Sequence, residues 1–255
     1  MHALTPPSAD EAFQRLWALT ITVRVALGLR PPSEIRAALA GLPRAAREAM
    51  TRDAAGQMAA FRGELESAGA WGHLTERERA FLLTPPHDLA DAEWMLATVR
   101  LEALAALSWA LGYAAEFPPF DAGPAPALLD ALATSTHVPA LRPREEMERM
   151  RTAAELWHWR SRTRAFRDGV WPLPAGVTHE QLDRAVREAA EKAAADGLIA
   201  APVEGDFPAR GKAYRRLGDA EWRQVNTTTV QRHHALNWLC GRAPGNDWEA
   251  TPTGT

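Results

Sequence analysis

Apolar positions near the C-terminus fall at Trp222, Val225, Thr229, Leu236, Leu239 and Cys240, in steps of three, four and then seven. That spacing is one face of a helix. The position missing from the seven-residue step is Arg232. The pattern predicts one helix from Asp219 to Cys240, with Asp219 as N-cap after Gly218 and Gly241 just past the end. A guanidinium in the middle of a core-facing stripe costs several kcal/mol unless it is paired. Arg232 therefore requires a carboxylate or carbonyl partner elsewhere in the chain. His233 and Asn237, four residues apart, lie on the flank of the same stripe.

The rest of the chain reads as helices separated by proline and glycine. Ser8 with Glu11, Thr75 with Glu78 and Thr178 with Gln181 form capping boxes. The first helix ends at Gly28. Ile35 to Leu39 is a short helix closed by Gly41. A long helix runs from Pro43 to Glu66 with Met50, Met58, Phe61 and Leu65 inward. Asp91 to Tyr113 reads as one helix, apolar nearly all round and hence central and buried. Glu102 shares a face with Val99, Ala106 and Trp109, so it too needs a partner. The proline-rich stretch from Phe117 to Ala127 is the only candidate hinge, though too short and too apolar for a flexible linker. A short helix at Leu128 to Ala133 follows. Pro143 then opens a helix carrying Glu155-Leu-Trp-His158-Trp-Arg160 to about Phe166, and the Thr178 box opens another that leads to Gly197. Residues 198–217 lose the helical period, which leaves room for at most one small β-hairpin. The expected class is mainly α: a single irregular multi-helix bundle domain over 1–255, with residues 1–70 as a conceivable helical subdomain.

Composition narrows the function classes. The 255 residues are 46% apolar and carry a net charge of −3, which gives no global pull toward nucleic acid. No apolar run approaches the roughly 18 residues of a membrane span, and the N-terminus lacks a signal pattern. Cys240 is the single cysteine, so no disulfide forms within the chain and a reducing compartment is permitted. The expectation is a cytoplasmic protein that contacts neither nucleic acid nor membrane.

No catalytic signature stands out. Glu155 and His158 have the spacing of helical di-iron sites, but such a site needs a second motif and two further glutamates. His233 and His234 are adjacent and so point to different faces, unlike a zinc-protease pair. There is no nucleophile elbow, phosphate loop or dinucleotide fingerprint, and Cys240 falls at the negative end of its helix, which disfavours a thiolate. No metal and no cofactor are expected. The candidate ligand-binding residues are Arg100, Glu102, His158, Arg232, His233 and Asn237. Arg232 is expected to meet Glu102, directly or through His233 or His158. Two functions fit: a non-catalytic protein that binds a protein partner, or a hydrolase of a phosphorylated or nucleotide-like small molecule acting through Glu102, His158, Arg232 and His233. A fully paired cluster favours the first and an open cleft the second.

The stretch Arg232 to Gly241 (RHHALNWLCG), followed by APGNDWEATPTGT, resembles a bacterial family known as domain of unknown function 4272. TERERAFL from Thr75, VRLEALAALSWALG from Val99 and the Arg144 to Arg160 helix support the resemblance. In that family a glutamate usually precedes the Arg-His pair, where this chain has Gln231. The family's terminal Thr-Asp-Thr here reads Thr253, Gly254, Thr255. The resemblance implies a single, mostly helical domain and no established function.

Overall fold

The computed structural model describes residues 5–67, 69–125, 127–134 and 140–254; Thr255, the last residue of the family-like tail, lies outside them. Ten α-helices among the described residues make the fold mainly α: α1 (Ala9–Gly28), α2 (Pro32–Ala40), α3 (Arg44–Ser67), α4 (Glu76–Leu83), α5 (Asp91–Val99), α6 (Leu101–Ala110), α7 (Leu128–Thr134), α8 (Arg144–Arg167), α9 (His179–Ala195) and α10 (Asp219–Leu239). The three capping boxes form as expected. In the first, the Ser8 hydroxyl accepts the Glu11 N–H at 3.2 Å while the Glu11 carboxylate accepts the Ser8 N–H at 2.7 Å; Thr75 with Glu78 and Thr178 with Gln181 repeat it.

The bundle is built around α6, α8 and α10. Every residue of α6 from Glu102 to Ala110 is buried, which follows from a helix apolar on all sides. Leu104, Leu107, Trp157, Leu236 and Leu239 share its core. A second apolar cluster joins α1 to α3, α4 and α5 through Ala18, Ala26, Leu65, Phe81, Leu82 and Ala97. A two-stranded antiparallel hairpin pairs Pro208–Ala209 with Lys212–Ala213. Its turn residues Arg210 and Gly211 have φ of 53° and 75°, the handedness that a two-residue hairpin turn needs.

Several local expectations are corrected. The 91–113 stretch is two helices that meet at Arg100, whose backbone leaves the regular helix at φ −61°, ψ −12°. At that junction its guanidinium is drawn to Glu78 and Glu249. Met50 is 51% exposed, and the core takes only Leu65, near the C-terminal end, as a buried residue of α3; Met95 on α5 is exposed as well. The N-cap of α10 is Gly218, whose N–H is accepted by the Glu221 carboxylate at 2.7 Å, while Asp219 sits in the first turn.

The proline-rich stretch is pinned rather than hinged. Phe117 and Phe120 lie in a run of aromatic contacts from Trp109 to Trp157 and on to Phe207, with centroid separations of 5.2 to 5.8 Å. The tail is anchored too: Trp248 is 4% exposed and packs edge-on against His234 and Trp238. Among the described residues no helix is long and apolar enough to cross a membrane.

Candidate functional site: a buried polar centre

Arg232 is fully buried where α10 crosses α6. Its Nε donates to Glu102 Oε2 at 2.9 Å and Nη2 donates to the same oxygen at 2.6 Å. Nη1 donates to the carbonyls of Pro118 and Pro119 at 2.8 and 2.6 Å, and Nη2 also to that of Ala122 at 2.8 Å. A guanidinium has five N–H donors, so all five are engaged. Glu102 Oε1 accepts the Thr228 hydroxyl at 3.0 Å. The expected pairing is therefore direct. The carbonyl partners come from the proline-rich stretch: a prolyl residue lacks an N–H but keeps its acceptor, and a chain pinned by two phenylalanines presents those oxygens inward. Burial lowers the Arg232 pKa, and the Glu102 charge and hydrogen bonds oppose that shift.

A second group lies on the other side of α10. Asn237 Nδ2 donates to the Pro252 carbonyl at 2.8 Å and lies 2.9 Å from His233 Nε2. A carbonyl only accepts, so the amide nitrogen faces both, and His233 Nε2 must accept. The His233 proton then sits on Nδ1, 3.1 Å from His158 Nδ1, which accepts it. The pair is neutral. Burial pushes His158 down to about 4 and His233 down to about 3; Arg162 adds to the first shift, and the cost of a second charge beside His158, with Arg151 and His234, adds to the second. Asn237 Oδ1 is buried without a hydrogen-bond partner among the described residues.

Arg100 belongs to neither group. It donates to Glu78 at 3.0 Å and to Glu249 at 2.7 Å, and Arg15 donates to both oxygens of Glu78. Burial works to raise the Glu78 pKa, but Arg15 and Arg100 hold it below its ordinary value. This ties α1, α4, the α5–α6 junction and the tail together. Sequence reasoning saw Glu78 as a capping glutamate; its packing under two arginines left no signal in local spacing.

The remaining motifs are occupied elsewhere. Glu155 pairs with Arg151 at 2.9 Å, apart from His158. Among the described residues no three His, Cys, Asp or Glu side chains are placed to hold a metal ion. Cys240 is buried, which pushes its thiol up to about 12.

A family model described as Domain of unknown function (DUF4272) matches residues 3–180, more than two thirds of the chain. The chain belongs to that family. The matched part of the DUF4272 chain contains Arg100, Glu102 and His158. Arg232, His233 and Asn237 lie beyond it, as does the C-terminal stretch on which the resemblance first rested, so the polar centre joins matched and unmatched parts. No curated protein and no solved structure matches the chain.

Proposed function

We propose that the protein works by binding a protein partner and not by catalysis. The observation that supports this best is Arg232. Its five donors are all held by Glu102 and three carbonyls, which leaves none for a substrate. The surface supplies a face for a partner: Phe13, Trp17 and Ile21 recur every fourth residue along α1 and border two adjoining cavities of about 460 and 320 Å³. Trp17 is 51% exposed. An apolar ridge with that spacing suits a partner helix carrying apolar side chains at i, i+4 and i+7.

A photo-crosslinking amino acid at Trp17, compared with one at the equally exposed Met95, tests this in cells. The expected outcome is a discrete protein adduct from position 17 and none from 95. The captured protein should bind the purified chain, and Trp17→Ser should lose that binding while melting normally. Turnover of a phosphate ester by the purified protein, lost in folded Glu102→Gln or His158→Gln, would favour the hydrolase reading instead.

A further inference from the structure

A cavity of about 180 Å³ lies between α8, α9 and the turn at Glu204 to Asp206, and neither α1 nor Arg232 lines it. Four arginines line it, Arg160, Arg167, Arg187 and Arg215, against three carboxylates, Asp183, Glu204 and Asp206. Each carboxylate is already taken. Asp206 receives Arg160 on both oxygens at 2.7 and 2.9 Å, together with the backbone N–H of Phe207 and of Arg215. Asp183 pairs with Arg167. Glu204 pairs with Arg215 and, from outside the cavity, with Arg216.

Two cationic groups keep capacity. Arg160 is 3% exposed. Its Nη1 makes one bond to Thr163 and its Nη2 one to Asp206, so each terminal nitrogen keeps one N–H without a partner among the described residues. Arg187 pairs with no carboxylate or carbonyl among the described residues. Its stem lies against Gly205, where a Cβ would stand 3.3 Å from the Arg187 Cγ and Cδ. Gly205 also has φ +70°, so glycine both permits the turn and lets the guanidinium reach the cavity.

We propose that this cavity binds a small molecule bearing a phosphate group, held by Arg160 and Arg187 with Arg215 at the rim. Guanidinium forks on different walls suit an anion with acceptor oxygens on several sides, and Arg160 is held in place by its bidentate carboxylate. The cavity has room for more than the anionic group alone. The site is independent of the partner-binding reading.

Calorimetric titration with inorganic phosphate and with glycerol phosphate, at constant ionic strength set by chloride, tests the proposal. Saturable binding of both is expected, at least as tight for the ester. Arg187→Gln should weaken it by roughly tenfold or more, whereas Arg184→Gln, one turn earlier on α9 and outside the cavity, should bind as the natural protein does. Glu204→Gln, which removes a competing carboxylate, should tighten it. Binding no better than that of chloride, an unchanged affinity in Arg187→Gln, or tighter binding of acetate than of phosphate would overturn the assignment.

Discussion

Arg232 and Arg160 are both almost wholly buried and both paired with a carboxylate, yet they differ in what they leave over. Arg232 has all five donors engaged by Glu102 and three backbone carbonyls. Among the described residues Arg160 keeps an unpartnered N–H on each terminal nitrogen, and it borders a cavity. Burial and ion pairing alone do not distinguish a structural charge from a binding one. A donor count does. The first arginine locks two helices and a proline-rich loop; the second has capacity for a ligand.

The largest expected effect breaks the closed side of this comparison. Arg232→Met or Glu102→Leu alone strands a buried charge and should cost about 3–5 kcal/mol. The double variant should cost clearly less than the sum; additive losses in denaturant unfolding would sever the pair.

The tail closes the same region, since Trp248 packs on α10 and Pro252 fixes Asn237. Removing residues after Gly241 should cost roughly 2–4 kcal/mol, the range for a lost aromatic anchor, and an unchanged melting temperature would show the tail to be dispensable.

Acid should loosen the closed region next. The His158 and His233 pKa values lie at about 4 and about 3, below the ordinary value near 6.5. As pH falls, the unfolded chain therefore takes up protons first. Their stabilising contribution is complete above pH ~6.5 and is lost as pH falls toward 4, on the order of 1 kcal/mol per histidine per pH unit. Glu78 and Asp206, whose pKa values are lowered in the fold, add their own loss near the lower end, so the slope from 6.5 to 5 reports these two histidines together with His234, which burial also pushes down to about 4. His158→Gln should reduce that slope by its own share; an identical slope would show that His158 contributes nothing to it.

On the open side the effect is smallest. Arg187→Gln touches an exposed side chain that has no ion-pair partner among the described residues, and should stay within about 0.5 kcal/mol of the natural protein. A larger loss in chemical unfolding would make Arg187 structural.

Much of the fold was legible because it is written in local chemistry. Capping boxes, prolines and glycines mark the ends of α1, α4 and α9, and helical period marks α10. The Arg232–Glu102 pair was legible because each charge interrupts an apolar surface and is costly alone. The carbonyl partners from Pro118, Pro119 and Ala122 were not, since backbone oxygens have no residue-type signal. Nor was the Glu78 network, whose glutamate already had a local role as a cap. Residues 198–217 lack a period, so nothing in spacing brought Asp206 to Arg160, and the arginine-lined cavity formed by residues from α8, α9 and a turn could not be assembled from the sequence. The exposure of Met50 and Met95 shows the converse limit: apolar periodicity predicts a face, but the rest of the chain decides whether anything covers it.

The contrast between the closed centre at Arg232 and the arginine-lined cavity, with Arg187 as the cavity's reporter, is tested most directly by side-chain hydrogen exchange, followed by nitrogen-15 NMR of the guanidinium groups. The account predicts slow, protected Nε and Nη protons for Arg232 and solvent-rate exchange for Arg187, with added inorganic phosphate slowing Arg187 and leaving Arg232 unmoved. Exchange at Arg232 as fast as at Arg187, or a phosphate response at Arg232, would contradict it.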